Sequence, residues 1–274
     1  MFKIEEKEIL APTIKKIKVQ APLIAKKTRP GNFIILRIDE KGERIPLTVA
    51  DYDKETGMIT IIFQEIGYST KELGRLKVGD YIKDIVGPLG KHLDIEGYNK
   101  VVCIGGGSGT ALLYPKVKAF HNKGAEVMTI TGARNKELII LEEELKEISD
   151  QLYITTDDGS YGHHGFVTDI LKKILEEEND IDLVVAIGPV PMMKAVTDIT
   201  PEDLKTIVSL NSLMIDGTGM CGGCRVTVGG ETKFTCVDGP AFDGHKVDFE
   251  ELMNRLSFYK EEEHQCKLDK EVDL

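Results

Sequence analysis

The chain has 274 residues, 30% of them charged, and a formal net charge of −11 at pH 7. Because this length exceeds the usual size of one domain, we expect two domains and a further segment. The negative charge argues against a nucleic-acid partner. No apolar run approaches the ~18 residues that a bilayer-spanning helix needs, and the acidic N-terminus lacks the apolar core of a signal peptide. We therefore expect a cytoplasmic protein without a membrane partner.

Residues 1–97 are predicted to form a small antiparallel β-barrel. Short runs rich in β-branched residues alternate there with turn signals. This spacing is typical of a closed or nearly closed barrel. The predicted strands are residues 13–19, 32–37, 44–50, 58–64 and 80–85.

One of these strands begins with Arg44-Ile45-Pro46-Leu47-Thr48. An arginine and a threonine on one strand supply a bidentate donor and a hydroxyl, which suit a phosphate or the edge of a flavin. The alternative is an ordinary exposed arginine beside an ordinary strand threonine.

Residues 98–200 predict a parallel sheet with helices on its faces, because apolar strands alternate there with helical stretches. The predicted strands are residues 101–104, 127–131, 152–155 and 183–187. The predicted helices are residues 109–123, 137–149, 166–178 and 191–197.

A glycine-rich loop follows the first of these strands and contains Gly106, Gly107, Ser108, Gly109 and Thr110. Such a loop sets a helix N-terminus and bare backbone amides against a pyrophosphate. Thr110 stands where a complete G-x-G-x-x-G motif would have its third glycine. A simple tight turn between strand and helix is therefore the alternative.

The ends of the other three strands carry small and polar residues. Ligands of open α/β sheets bind at the carboxyl ends of the strands, which is where these residues collect. Met192 would form a pocket wall, with plain core packing as the alternative. The candidate nucleotide-binding residues are Arg134, Asp157, Asp158, Gly188 and Met192.

Residues 201–245 carry an aspartate and three cysteines in a glycine-rich run: Asp216, Cys221, Cys224 and Cys236. Their spacing approximates the C-x4-C-x2-C…C pattern of [2Fe-2S] ferredoxins, with aspartate in place of the first cysteine. Glycine lets a chain wrap closely around a small cluster, because it adopts positive φ without steric cost. A hairpin after Cys224 would bring Cys236 back to the cluster.

Two other interpretations of these thiols stay open. A structural zinc site could use the three cysteines with an aspartate or histidine as fourth ligand. Alternatively, the thiols are buried and bind no metal. The remaining cysteines, Cys103 in an apolar strand and Cys266 in a polar tail, are expected to be packing and surface residues.

Residues 246–274 are predicted to form a strongly charged helix that ends in an acidic tail. Such a helix is either a docking element for a partner or a solvated face. Both interpretations stay open.

Together, these motifs resemble the ferredoxin–NADP reductase superfamily. Arg44-x-Pro46-Leu47-Thr48 is similar to its flavin-binding signature, and the glycine loop is similar to its nucleotide-binding loop. The cysteine motif behind them is similar to that of the electron-transfer subunit of dihydroorotate dehydrogenase, which carries four cysteines. With Asp216 in the first position, the chain resembles more closely the small (alpha) subunits of NADH-dependent ferredoxin:NADP oxidoreductases, also called sulfide dehydrogenase alpha subunits.

The resemblance implies FAD on the barrel, NAD(H) on the α/β domain and a [2Fe-2S] cluster on the third segment. The implied FAD-binding residues are Arg44, Pro46, Leu47, Thr48, Ile66, Gly67 and Thr70. The implied NAD-binding residues are Gly106, Gly107, Ser108, Gly109, Thr110, Arg134, Asp157, Asp158, Gly188 and Met192. The implied cluster ligands are Asp216, Cys221, Cys224 and Cys236. The residues leave NAD or NADP open, and the preference for NAD comes from the resemblance.

The implied activity is that of an oxidoreductase subunit in which hydride passes between nicotinamide and flavin, and single electrons pass on through the cluster. No catalytic side chain is expected, because the cofactors carry the chemistry. The implied partner is a larger flavin and iron–sulfur subunit that forms a heterodimer with the chain, reacts with NADP(H) and ferredoxin, and hosts electron bifurcation. Two alternatives are the electron-transfer subunit of a dihydroorotate dehydrogenase and a zinc-containing module that senses nucleotide or redox state.

Overall fold

A computed structural model describes residues 1–259, 261, 262, 264 and 265. Two seven-stranded sheets and a two-stranded hairpin organise these residues. Cys266 and most of the predicted acidic tail lie outside the described residues.

The first sheet forms the predicted barrel from seven strands and two short helices. The strands are β1 (Phe2–Ala11), β2 (Ile14–Gln20), β3 (Phe33–Arg37), β4 (Ile45–Asp53), β5 (Met58–Gln64), β6 (Tyr81–Ile82) and β7 (Asp84–Leu89). The helices are α1 (Pro22–Lys27) and α2 (Tyr68–Arg75). The strand order is β6-β1-β2-β5-β4-β3-β7, with antiparallel neighbours. Because Lys83 alone separates the two edge strands in the chain, the sheet curls into a nearly closed barrel.

Strand β3 is buried on both faces, which is unusual for a barrel strand with one face to solvent. Ile34 and Leu36 point into the barrel core. Phe33 and Ile35 point the other way and pack against Cys224 and Cys236. The barrel is therefore joined to the cysteine segment through the outer face of β3.

The second sheet is the predicted α/β domain. Its strands are β8 (Lys100–Gly106), β9 (Glu126–Ala133), β10 (Gln151–Thr156), β11 (His163–His164), β12 (Leu183–Ile187), β13 (Thr206–Ser209) and β16 (Ala241–Asp243). Its helices are α3 (Gly109–Asn122), α4 (Glu142–Glu147), α5 (Val167–Glu177) and α6 (Val190–Ile199). The order is β11-β10-β9-β8-β12-β13-β16, and every pair except β13–β16 is parallel. The strand order reverses between β8 and β12, which is where such sheets bind ligands.

The cysteine segment leaves this sheet after β13 and returns to it at β16. Between them lie strands β14 (Arg225–Val228) and β15 (Glu231–Phe234), which form an antiparallel hairpin, and helix α7 (Thr235–Asp238). Strands β13 and β16 come from the segment assigned above to the cluster module, yet they hydrogen-bond within the α/β sheet. The domain boundaries at 200 and 245 stay predictions.

The described C-terminal helix is α8 (Phe249–Leu256), which covers only part of the predicted helical segment. Asp248 caps it by accepting a hydrogen bond from the Glu251 backbone N–H at 2.9 Å. The helix packs against β14 and α6 through Phe249 and Leu252. Within the described part of the chain, no helix has the length and apolar character that crossing a bilayer requires.

Candidate functional site

The β14–β15 hairpin places two of the predicted ligands side by side. Arg225 pairs with Phe234 across the hairpin. Cys224 directly precedes Arg225 and Cys236 is the second residue after Phe234, so the two cysteines meet at the open end of the hairpin. Their sulfur atoms lie 3.1 Å apart, and both side chains are buried. Burial raises the pKa of the Cys236 thiol to about 12. A bound metal would overcome this preference, since coordination deprotonates a thiol outright.

The other two predicted ligands are held together by the preceding loop. The Asp216 carboxylate accepts hydrogen bonds from the backbone N–H groups of Thr218 at 2.8 Å and Cys221 at 2.7 Å. These bonds hold the pKa of Asp216 below its usual value, so the carboxylate is charged at neutral pH. Asp216 is thereby hydrogen-bonded to Cys221, whose thiol is exposed.

The four residues thus form two pairs, Asp216 with Cys221 and Cys224 with Cys236. Within the described residues, no three His, Cys, Asp or Glu side chains are grouped as they would be around one metal ion. A [2Fe-2S] cluster has two irons with two protein ligands each, so it requires pairs rather than a single group of four. The donor set of one carboxylate and three thiols fits a cluster of this kind.

The loop that carries Asp216 lies directly on the outer face of the barrel. A Cβ atom built at Gly217 would come 2.5 Å from Cδ1 of Ile35 and 2.8 Å from Cδ1 of Leu89. Gly217 also has a φ of +73°, which other residues rarely adopt. Only glycine therefore permits this close contact between the loop and strands β3 and β7.

The opposite side of the loop faces solvent. Met220 is 89% exposed, and the neighbouring Cys221 is exposed as well. Leu213, Ile215 and Val237 are further exposed apolar side chains of the same segment. One pair of cysteines therefore faces the barrel, and the third cysteine faces outwards.

The predicted flavin residues of β4 lie one strand away from the cysteine segment. Thr48 pairs with Phe33, Leu47 with Ile34 and Pro46 with Ile35. Phe33 and Ile35 are the residues of β3 that share one buried cluster with the two cysteines. The predicted flavin strand and the predicted cluster ligands are thus separated by the width of one strand.

Helix α2 contributes the remaining predicted flavin residues. The Thr70 hydroxyl accepts hydrogen bonds from the backbone N–H groups of Ile66 at 3.0 Å and Gly67 at 3.1 Å, and donates one to the Gly67 carbonyl at 3.0 Å. Ser69 donates to Glu43, next to Arg44, so the helix N-terminus lies beside the start of β4. No heavy atom lies within 4 Å of a Cβ built at Gly67, which leaves that helix end open to a ligand.

The glycine loop ends β8 at Gly106 and begins α3 at Gly109. A Cβ at Gly106 would lie 2.4 Å from Sδ of Met192, and a Cβ at Gly109 would lie 2.4 Å from the carbonyl oxygen of Ile187. The loop is therefore pressed against the end of β12, where Gly188 follows. This contact brings the predicted residues of the first and fourth strands together.

The ends of β9 and β10 extend the same edge of the sheet. Gly107 donates its N–H to the Gly132 carbonyl at 2.7 Å. The N–H groups of Asp157 and Asp158 bond to the carbonyls of Ala133 and Arg134 at 3.0 and 3.2 Å. All ten predicted nucleotide residues consequently lie along one edge, although their contacts with a nucleotide stay predictions.

Sequence reasoning missed a buried cation between the two domains. Lys116 of α3 is 1% exposed, and its Nζ donates to the Leu112 carbonyl at 3.1 Å. Its Cε lies 3.7 Å from a Cβ built at Gly31, in the barrel loop before β3. Burial lowers the pKa of Lys116 to about 8. No pattern in the sequence distinguishes this lysine from the half-buried Lys118 of the same helix.

Two family matches describe the α/β domain and the cysteine segment. Residues 103–198 match the oxidoreductase NAD-binding domain. Residues 211–248 match the iron–sulfur cluster binding domain of dihydroorotate dehydrogenase B. The second match contains all four predicted cluster ligands.

Curated relatives extend the likeness over most of the chain. A homologue of the dihydroorotate dehydrogenase B (NAD(+)) electron transfer subunit from Thermotoga maritima is 49% identical over 246 residues, covering 89% of this chain and 86% of the relative. The chain belongs to this family of electron transfer subunits and their homologues. The electron transfer subunit of Fusobacterium nucleatum, another member, is 32% identical over 256 residues, covering 90% of this chain and 97% of its own.

One solved structure has the same fold as this chain over almost its whole length. It is described as NADH-dependent reduced ferredoxin-NADP oxidoreductase, studied for flavin-based electron bifurcation. The superposition has a TM-score of 0.93 and 44% identity, and covers 99% of this chain and 98% of the other. The predicted barrel, parallel-sheet domain and iron–sulfur segment are confirmed, and the chain is an oxidoreductase subunit.

Proposed function

We propose that this electron-transfer subunit passes electrons between NAD(H), FAD and a [2Fe-2S] cluster, and from there to a partner subunit. The observation that carries the proposal is the contact of the cluster loop with the barrel. Gly217 lies against Ile35, and Ile35 pairs with Pro46 of the predicted flavin strand. The short path across β3 suits direct electron exchange between a flavin on β4 and a cluster on the loop.

The proposed FAD site combines β4 with the N-terminus of α2. Arg44 is exposed beside that helix end, where its guanidinium would bind a phosphate oxygen. The backbone N–H groups in the first turn of α2 would bind the diphosphate. Thr70 fixes the backbone before that turn by accepting the N–H groups of Ile66 and Gly67. Pro46, Leu47 and Thr48 are half-buried and would line the isoalloxazine ring. When bound, a flavin links two-electron hydride transfer to one-electron transfer.

The proposed NAD(H) site is the edge formed by the ends of β8, β9, β10 and β12. The backbone N–H groups between Gly106 and Thr110 would bind the pyrophosphate at the start of α3. Asp157 and Asp158 follow β10, two strands from β8 in the sheet, and lie beside Arg134, where they would contact ribose hydroxyls. Met192 and Gly188 would close the pocket above the glycine loop.

The proposed cluster ligands are Asp216 and Cys221 for one iron, and Cys224 and Cys236 for the other. The hydrogen bonds to Asp216 and the contact between the two buried sulfurs support this pairing. The buried pair faces the barrel, and the exposed Cys221 faces outwards. The cluster would therefore connect the flavin side of the molecule with its surface.

The proposed partner is a larger flavin and iron–sulfur subunit that reacts with NADP(H) and ferredoxin and hosts electron bifurcation. The relatives named as electron transfer subunits support a partner subunit of some kind. The likeness to a bifurcating NADH-dependent reduced ferredoxin-NADP oxidoreductase supports this particular partner. The exposed apolar side chains around Cys221 suit a protein interface. Such a complex would work in the cytoplasm.

A dihydroorotate dehydrogenase partner is the second candidate, because several named relatives are electron transfer subunits of that enzyme. The aspartate at position 216 favours the first candidate, since the dihydroorotate dehydrogenase subunits that the chain resembles carry four cysteines in this motif.

The two complexes differ in their electron donors and acceptors. Orotate-dependent or dihydroorotate-dependent electron transfer by the purified complex would support the second candidate.

Spectroscopy and native purification test the proposal. We expect the chain to be brown-yellow, with flavin absorption, two irons and two labile sulfides per protein, and loss of the visible absorption on adding NADH. A colourless, zinc-containing protein would instead support the nucleotide-sensing alternative. Purification from native extract should bring down a larger flavoprotein, whereas a stable isolated monomer with full ferredoxin activity would contradict an obligatory partner.

A further inference from the structure

Thr235 carries a completely buried hydroxyl that has no hydrogen-bond partner. The residue is 0% exposed. Its Oγ1 is one of five buried side-chain polar atoms without a partner within the described residues. A hydroxyl that gives up water without gaining another bond is costly, so native proteins seldom retain one without a reason.

The backbone of Thr235 is connected to both buried cysteines. Its backbone N–H donates to the Cys224 carbonyl at 3.0 Å. The next residue is Cys236, whose N–H points to Sγ of Cys224 at 3.5 Å. The threonine is therefore held between the two buried cysteines that are proposed to bind one iron. The acceptors that would enter this space with a cluster are its sulfur atoms.

We propose that the Thr235 hydroxyl donates a hydrogen bond to a sulfur atom of the iron–sulfur cluster and so raises its reduction potential. The inference rests on the proposed function, because it requires a cluster at these cysteines. Hydrogen bonds to the sulfurs are among the factors that set cluster potentials. The reduced cluster carries one more negative charge, so a donated hydrogen bond stabilises it more than the oxidised form. Loss of the hydroxyl therefore lowers the potential.

The test replaces the hydroxyl by a methyl group of similar size, Thr235→Val, in the full chain with its cofactors. The matched control is Thr155→Val, because Thr155 is also buried with an unpartnered hydroxyl but lies in β10 of the α/β domain. Redox titration followed by electron paramagnetic resonance gives the midpoint potential. We expect the equilibrium constant for reduction to fall about tenfold in Thr235→Val, or ~59 mV for one electron, and to stay unchanged in the control. An unchanged potential in Thr235→Val would overturn the inference.

A second pair of variants keeps the test valid if valine disturbs the loop. Thr235→Ser retains the hydroxyl and Thr235→Ala removes it, so the two differ by that group alone. We expect the serine variant to keep the wild-type reduction potential and the alanine variant to have a lower one. Equal potentials in these two variants would overturn the inference.

Two further measurements separate this inference from the proposed function. Iron and sulfide analysis of the wild type tests the cluster itself, and their absence would overturn the proposed function. Thermal unfolding of the metal-free protein tests the orphaned hydroxyl without any cluster. There, Thr235→Val should be at least as stable as the wild type, because it removes an unsatisfied polar atom. A marked loss of stability would show that the hydroxyl is bonded within the protein, which would contradict the inference.

Discussion

Gly217 of the cluster loop and Ile35 of barrel strand β3 approach so closely that a Cβ on the glycine would lie 2.5 Å from Cδ1 of the isoleucine. This contact joins the iron–sulfur segment to the barrel. It also sets the separation between the proposed cluster and the proposed flavin strand, because Ile35 pairs with Pro46.

The variant Gly217→Ala should push the cluster loop away from the barrel. We expect a loss of roughly 1–3 kcal/mol in unfolding free energy from overpacking and a slower transfer of electrons from flavin to cluster in rapid-mixing experiments. The control is Gly230→Ala in the β14–β15 turn, which has a similar positive φ of +78° but no atom within 4 Å of a built Cβ. Equal transfer rates in the two variants would contradict a role for the close contact.

The variant Asp216→Cys should retain a [2Fe-2S] cluster and change its potential. A thiolate and a carboxylate differ in softness and charge distribution, and ligand identity tunes the metal. We expect the reduction equilibrium to change by tenfold or more, which is ~59 mV for one electron. Redox titration measures the change, and an unaltered potential would indicate that Asp216 is not a ligand.

The companion variant Asp216→Asn separates ligation from loop structure. The N–H groups of Thr218 and Cys221 bond to different oxygens of Asp216, so an asparagine, with one acceptor oxygen, can keep only one of these bonds. It also lacks the negative charge of the ligand. We expect the iron content to fall, while the metal-free protein loses only about 1 kcal/mol of unfolding free energy from the one lost hydrogen bond. Full iron content in this variant would argue for a structural role of the side chain.

The variant Thr70→Val should weaken FAD binding. It removes the hydroxyl that accepts the N–H groups of Ile66 and Gly67 and so fixes the backbone just before α2, a capping interaction of about 1 kcal/mol. Titration of flavin-free protein should show an affinity lower by roughly five- to tenfold, as such an energy implies. Thr13→Val is the control, because its hydroxyl accepts a hydrogen bond from Gln64 at the exposed barrel surface at 3.3 Å. The same affinity in both variants would place the diphosphate elsewhere.

The variant Lys116→Met should stabilise the protein at neutral pH. Burial lowers the pKa of Lys116 from 10.5 to about 8, so the folded state disfavours the charged form. The unfolded chain then binds more protons between about pH 8 and 10.5, and this lysine makes the wild type gain stability as the pH rises through that window. Below pH 8 the penalty is about 3 kcal/mol.

Denaturant unfolding at several pH values measures this effect as a difference between wild type and variant. The difference removes the contribution of groups that do not interact with Lys116. We expect the variant's advantage to be largest at pH 7 and to shrink towards pH 10. An advantage that stays constant over this range would mean that the lysine is neutral at pH 7 or paired.

Much of the fold was predictable because its strands are apolar and its turns carry glycine. The strands of the α/β domain, such as β12 (Leu183–Ile187), are apolar throughout, as burial on both faces of a parallel sheet requires. The first strand, β1, was missed. It buries few residues, and its side chains form ion pairs with β2, with Glu6 opposite Lys18 and Glu8 opposite Lys16. A strand stabilised by its neighbour has no strong periodic signal of its own.

The chemistry of this protein is encoded in its residue types and their spacing, which indicate the kind of cluster and nucleotides that it suits. The tertiary structure sets how these donors are grouped. It paired Asp216 with Cys221 and Cys224 with Cys236, laid the loop on Ile35, and buried Lys116 and Thr235. The reason is physical. Ligand type is a property of a residue, whereas burial and distance arise from contacts between segments that lie far apart in the chain.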